Sequence, residues 1–245
     1  MKPFEEKMGY FELQMTKFSL LDPSDIMFTF FCIAIIIFLP KIFLDKSTRS
    51  KKGLVLVIIS LLLLNQGMDL YREGYMDEWK LGLPLHLCDF STASIILYFF
   101  TKRKEFFLFA FFAGFSGAGM AILTPDVLYS FPHIDYVRHM IGHSMILLGV
   151  TYAMVIDHLR PQFKDVHRVL AVMTLFMLSM YPINYLLGTP ANYWYVIEKP
   201  PGLNITDYMR DAPYHMIDIF IIAVIVCYLI YIPYLVKDKL QINRS

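Results

Sequence analysis

The sequence predicts an all-α protein, a polytopic membrane helix bundle of seven transmembrane helices with its N-terminus outside and its C-terminus cytoplasmic. Two observations predict this class. The 245 residues are 57% hydrophobic with a mean hydropathy of +0.51, which is above the apolar share usual for a soluble domain. The apolar residues also form seven runs, each close to the ~20 residues that cross a bilayer core.

The seven runs are joined by short connections, so we expect one transmembrane domain over residues 26–236, followed by a cytoplasmic tail at 237–245. The predicted spans are 26–44, 54–71, 84–100, 106–123, 137–156, 169–187 and 213–235. The distribution of Lys and Arg predicts the orientation. The chain has 22 Lys and Arg residues, and 14 of them lie in the connections after spans one, three and five or in the C-terminal tail. Cytoplasmic loops carry such an excess.

An amphipathic segment at 1–25 precedes the spans. Its apolar residues recur every three or four positions, as on one face of a helix: Phe4, Met8, Phe11, Met15 and Phe18. We expect an interfacial helix on the outer surface, with a helix packed over the bundle as the alternative.

Charge and cysteine usage exclude several classes. The net charge of +1 gives no electrostatic reason to expect nucleic acid as a partner. Cys32, Cys88 and Cys227 lie in separate apolar segments, without metal-finger spacing and without an even number for disulfides. The first 25 residues lack the pattern of a cleavable leader. We expect no cofactor.

Polar side chains gather at the predicted outer ends of the spans, whereas the cytoplasmic halves are almost purely aliphatic or Phe. Polar groups inside a bilayer are costly and often functional. The asymmetry therefore predicts a polar cavity open to the outer leaflet, with interhelical hydrogen bonding as the alternative. The residues are Asn65, Gln66, Asp69, His86, Cys88, Asp89, Thr124, Asp126, Arg138, His139, His143, Tyr181, Asn184, Tyr185, Tyr214, His215 and Asp218.

Cys88 differs from the other cysteines because polar residues surround it. Pro84 suits a first helical turn, so we expect span three to begin near Leu83. His86 then lies roughly 200° around the helix from Cys88 and shares a face with Asp89. Cys88 also lies beyond the first turn, where a helix terminus affects a thiol little.

A base that activates Cys88 would therefore come from another helix. His139 and His143 of span five enter from the same side, and His143 lies at about the depth of Cys88. A thiol beside an imidazole is a recurring arrangement in acyl transfer. The residues alone leave open which histidine is the base.

Two other functions remain open. His139 and His143 have the spacing with which a helix offers two ligands to one metal ion, so a metal-dependent seven-span lipid hydrolase is an alternative. A non-enzymatic lipid-binding or transport protein is a further alternative, although no internal repeat is visible.

One motif resembles a known family. Leu83-Pro84-Leu85-His86-Leu87-Cys88-Asp89 at the start of a span is similar to the signature of the YwaF family of bacterial integral membrane proteins. Further matches over residues 54–235 are Leu123-Thr124-Pro125-Asp126, Phe131-Pro132-His133, Pro182-Ile183-Asn184-Tyr185-Leu186-Leu187-Gly188-Thr189, Asn192-Tyr193 and Lys199-Pro200. Members often have Ala-His-Gly where this chain has Gly142-His143-Ser144.

The YwaF family is similar to a eukaryotic transmembrane acyltransferase of ether phospholipids that requires a Cys and a His. Carried over by motif, these residues are Cys88 and His143. The resemblance implies a bacterial cell-membrane acyltransferase that passes an acyl chain from a phospholipid through a Cys thioester to a lipid or lipid-linked acceptor. Asn184, Tyr185 or backbone amides at a helix start are expected to stabilise the oxyanion. Other substrate-binding or supporting residues are His86, Asp89, Asn65, Asp69, Arg138, His139, His215 and Asp218.

Overall fold

The computed structural model describes residues 17–19, 22–72, 78–199 and 205–242, and this part of the chain is all-helical. Seven helices follow one another: α1 Pro23–Ile42, α2 Thr48–Asp69, α3 Leu87–Thr101, α4 Lys104–Leu123, α5 Ile134–Val155, α6 Phe163–Leu187 and α7 His215–Ile242. Among the described residues between α6 and α7 lie two 3₁₀ turns, Tyr193–Tyr195 and Ile205–Tyr208.

Five of these helices are long and apolar enough to cross a membrane, namely α1, α2, α4, α6 and α7. Helix α3 has only 15 residues, and α5 carries Asp135, Arg138 and both predicted histidines in its first half. The prediction of an all-helical, multi-pass membrane protein is confirmed at this level. The count of seven spans and the orientation stay predictions.

The predicted amphipathic helix falls mainly on residues 1–16, which lie outside the described residues. Residues 17–19 are not helical. The Phe18 N–H donates to the Leu128 carbonyl at 2.9 Å, and Lys17 forms a bridge with Tyr129. This contact joins the chain before α1 to the connection between α4 and α5.

Helix α5 lies at the centre of the bundle, where it packs against α1, α2, α3 and α4. Its glycines permit close approach. A Cβ at Gly149 would lie 2.7 Å from Ile95 Cγ1 of α3, and one at Gly142 would lie 2.6 Å from Asn65 Nδ2 of α2. Near the other end of α5, Asp157 accepts hydrogen bonds from Tyr98 at 2.6 Å and from Lys102 at 2.9 Å.

Helix α4 changes its winding part-way along. An α-helical stretch, Lys104–Ala113, is followed by a π-helical turn, Gly114–Ala118, and by a last α-helical turn, Gly119–Leu123. Such turns are often found at functional sites. This one packs against α3, α5 and α7.

Helix α3 begins at Leu87, so the expected start near Leu83 is wrong. Residues before it are held by tertiary hydrogen bonds instead of helical ones: Tyr193 Oη accepts the Leu83 N–H at 2.9 Å, and Trp194 Nε1 donates to the Leu85 carbonyl at 2.8 Å. Asp89 accepts the His86 N–H at 2.7 Å, as in a capping box. These bonds keep Pro84 outside the helix.

Candidate functional site

A cavity of about 680 Å³ opens between α2, α3, α5 and the end of α4. Its volume lies in the range of ligand sites in proteins. Of the twelve predicted site residues, the cavity is lined by eight: Asn65, Asp69, His86, Cys88, Asp89, Arg138, His139 and His143. The predicted gathering of polar residues from several helix ends is therefore present.

Cys88 is the second residue of α3, within its first turn. The expectation that it lies deeper in the helix is wrong because α3 starts four residues later than expected. A Cβ at Gly117 would lie 3.6 Å from Cys88 Sγ, so the glycine leaves room beside the thiol. Within the described residues, the N–H groups of Leu87 and Cys88 donate to no acceptor, as is usual at a helix start. Such N–H groups favour an anion.

Two of the three cavity histidines, both on α5, have one ring nitrogen on a backbone carbonyl. His143 Nδ1 donates to the His139 carbonyl at 2.7 Å, and His139 Nε2 donates to the Ala121 carbonyl at 3.0 Å. Because a carbonyl can only accept, neutral His143 carries its proton on Nδ1 and keeps Nε2 as an acceptor. His139 instead has its Nε2 bonded, so the ring nitrogen left over is Nδ1, which lies closer to the helix backbone than Nε2 does.

His86 and Asp89 fasten the start of α3. Asp89 accepts hydrogen bonds from the His86 N–H and from the Gln66 side chain of α2. The His86 ring lies 4.8 Å from the Tyr193 ring, centroid to centroid. The expectation that His86 and Cys88 face apart is wrong, since both line the cavity. The helical rotation used for that expectation does not apply, because His86 precedes the helix.

A network of charged residues joins α2 to α5 at one side of the cavity. Asp69 pairs with Arg138, and it also accepts a hydrogen bond from Asn65 at 3.0 Å. Asp135 pairs with Arg72 and lies 4.0 Å from Arg138. Paired charges of this kind hold two helices in register where the bilayer makes isolated charges costly.

The comparison with known families agrees with this architecture. The sequence model of the TMEM164 family, a transmembrane protein family, matches residues 17–231. The chain belongs to the TMEM164 family. The match includes every residue that lines the cavity. The YwaF name stays a prediction.

Neither a curated protein nor a solved structure matches this TMEM164-family chain.

Four of the predicted site residues in this member of the TMEM164 family lie outside the cavity. Asn184 is buried, where it bonds both the N–H and the carbonyl of Tyr193, at 2.8 and 2.9 Å. Tyr185 is 85% exposed. The oxyanion role expected for these two does not fit, since the amide of Asn184 is occupied and Tyr185 points away from the bundle. His215 bonds the Tyr195 carbonyl at 2.8 Å, and Asp218 accepts the Arg210 N–H at 2.9 Å.

Sequence reasoning missed two aromatic residues of the cavity, Trp194 and Tyr195. They come from the loop after α6, where neither helical periodicity nor charge marked them. Asn184 and His215 act on this loop, because both bond to its backbone. Their contribution to the TMEM164-family cavity is therefore to hold its aromatic wall.

We expect Asn184→Ala to lower the free energy of unfolding by about 2–3 kcal/mol, because it leaves the buried N–H and carbonyl of Tyr193 unpaired. The measurement is thermal unfolding of the detergent-purified protein. Tyr185→Phe, at the next and exposed position, serves as the control with little change. Equal melting temperatures for the two variants would contradict this role.

The metal alternative gains no support from the described residues. Among them, no group of three His, Cys, Asp or Glu side chains is arranged to hold an ion. One ring nitrogen of His139 and one of His143 is hydrogen-bonded to a backbone carbonyl, so neither of these two nitrogens is free to bind a metal ion.

Proposed function

We propose that this TMEM164-family protein is a membrane acyltransferase. It moves a fatty acyl chain from a phospholipid to a thioester on Cys88, and then to a lipid or lipid-linked acceptor. The observation that carries the proposal is one cavity lined by a thiol in the first turn of a helix and by an imidazole with an unoccupied Nε2. Thiol and imidazole together form a known type of acyl-transfer pair.

In the first step, His143 Nε2 takes the proton of the Cys88 thiol, and the thiolate attacks the ester carbonyl of the donor phospholipid. The negative charge moves to the carbonyl oxygen, where the N–H groups of Leu87 and Cys88 are free to bind it. As the ester C–O bond breaks, the leaving alkoxide takes the proton from His143. The products are an acyl thioester and a lysophospholipid.

In the second step, the acceptor hydroxyl or amine gives its proton to His143 and attacks the thioester carbonyl. The C–S bond breaks, the acyl chain passes to the acceptor, and Cys88 regains its proton from His143. Transfer needs an acceptor held close enough to outcompete water. The apolar walls formed by Leu62, Ile146 and Ile219 suit the acyl chain.

The supporting contacts agree with this mechanism. Asp89 and Gln66 hold the start of α3, which sets both the thiol and the two N–H groups. Arg138 and Asp69 lie beside them as groups for a lipid headgroup. The Lys and Arg distribution supports an orientation with this end of the bundle outside the cell. We therefore place the reaction at the outer leaflet of a bacterial cell membrane, in a seven-span bundle with its N-terminus outside.

An acyl-enzyme test examines the proposal directly. The purified protein, incubated with a phospholipid of defined acyl chain and without acceptor, should gain the mass of one acyl group. Neutral hydroxylamine should remove it, and peptide mapping should find it on Cys88. Cys32→Ala and Cys227→Ala serve as controls that keep the adduct, because both cysteines are buried away from the cavity. An adduct that survives Cys88→Ala would contradict the proposal.

A further inference from the structure

A second cavity, of about 240 Å³, lies between α1 and the connection from α4 to α5. We name it the α1 groove. It is lined by Asp25 and Phe30 of α1, by Leu123 at the end of α4, by Pro125 after it, and by Tyr136 of α5. The segment 121–126 separates it from the acyl-transfer cavity, since Ala121 and Asp126 line that cavity instead. The α1 groove is therefore a separate site on the same end of the bundle.

The α1 groove contains a buried carboxylate whose charge is only partly compensated. Asp25 is 3% exposed, and its Oδ1 accepts the Phe131 N–H at 2.8 Å. Its Oδ2 is buried and has no hydrogen-bond partner in the part of the chain that the structure describes. Among the described residues, no Lys, Arg or His forms an ion pair with it. The first turn of α1 supplies only partial positive charge.

An unpaired buried charge is expensive, because it loses hydration without gaining a partner. Two hydrogen bonds hold Asp25 in place. Tyr136 Oη donates to the Asp25 backbone carbonyl at 3.1 Å, and the Phe131 N–H donates to Asp25 Oδ1. Oδ2 is thus positioned for a ligand that brings both a positive charge and an N–H donor.

The walls of the α1 groove indicate where that ligand comes from. Ile26, Phe30 and Leu123 line it and are 38%, 68% and 56% exposed on the outside of the bundle, where lipid chains lie. Two of the aromatic rings that line the groove, Phe18 and Phe30, are at least partly exposed, and an ammonium ion can lie against such rings. The volume suits a headgroup, with the lipid chains along the exposed apolar surface.

We propose that the α1 groove binds the primary ammonium headgroup of a membrane lipid, with an ammonium N–H donated to Asp25 Oδ2. A trimethylated ammonium brings the same charge without an N–H donor, so it leaves Oδ2 unpaired. The site therefore distinguishes phosphatidylethanolamine from phosphatidylcholine. This binding is independent of acyl transfer, because none of the residues that line the α1 groove also lines the acyl-transfer cavity.

The test measures lipid binding to the detergent-purified protein by native mass spectrometry, with the two phospholipids carrying identical acyl chains. The Cys88→Ala background prevents turnover. We expect this protein to prefer phosphatidylethanolamine by about tenfold, the size of a hydrogen bond to a charged group. Asp25→Asn should abolish the preference, since its Oδ1 still accepts the Phe131 N–H while the negative charge is gone.

Asp22→Asn is the matched control. Asp22 precedes α1 by one residue, accepts the Ser24 N–H at 2.8 Å and does not line the groove, so the preference should remain. Ile33→Phe narrows the groove without touching the carboxylate and should also weaken the preference, which covers the case in which Asp25→Asn does not fold. Equal binding of both lipids to the parent protein, or a preference unchanged by either groove variant, would overturn the proposal.

Discussion

Cys88→Ala is expected to lower acyl transfer by about 10³-fold or more, because the variant has no atom that can carry the acyl group. The change removes one sulfur atom from a half-buried position, so the fold should remain. The measurement uses proteoliposomes with a phospholipid donor whose acyl chain is isotopically labelled. Lipid mass spectrometry then follows both the lysophospholipid and the newly acylated product.

The other two cysteines provide matched controls for this loss. Cys32 and Cys227 are buried in the bundle, and their alanine variants should retain transfer. Cys88→Ser tests the thiol itself, because a hydroxyl of similar size is a much weaker nucleophile at neutral pH. Labelled product formed by Cys88→Ala at the parent rate would show that the thioester is not on the pathway.

The second large effect is expected at His143. His143→Gln should slow formation of the Cys88 thioester by about 10²–10⁴-fold, the usual contribution of a general base. The thiol itself is retained, so a small electrophile in detergent should still label Cys88. The measurement is the single-turnover rate of acyl-enzyme formation, followed by intact mass.

His139→Gln is the comparison that assigns the base. Its Nε2 is bound to the Ala121 carbonyl, and we expect its loss to slow the same step by no more than about tenfold. A larger effect at His139 than at His143 would assign the proton transfer to His139. The two variants change neighbouring turns of one helix, so general damage to α5 would affect both alike.

The class of fold followed from the sequence because long apolar runs in a chain have few alternatives to membrane helices. The sequence also predicted one cavity that brings together Cys88, His143 and Asp69. This prediction was possible because helix ends on one side of a membrane lie close together. Neither inference needed knowledge of a particular side-chain contact.

The start of α3 could not be predicted in the same way. It depends on Tyr193 and Trp194, which lie more than 100 positions away and bind the backbone of residues 83 and 85. Local preference favoured Pro84 inside the first turn, and tertiary hydrogen bonds overrode it. The oxyanion role expected for Asn184 and Tyr185 also depended on tertiary structure. The two residues are neighbours on α6 but point in different directions, and the sequence does not show which of them faces the bundle.

The π-helical turn at Gly114–Ala118 makes the site depend on chain length as well as on residue type. A π-helical turn contains one residue more than an α-helical turn. This extra residue rotates the part of the helix that follows it by about 100° around the axis of α4. The first half of α4 can therefore bury Phe107 and Phe111 in the core while the last turn directs the Ala121 carbonyl toward His139. Deleting one glycine from this stretch, with every cavity side chain kept, would swing that carbonyl aside and release His139.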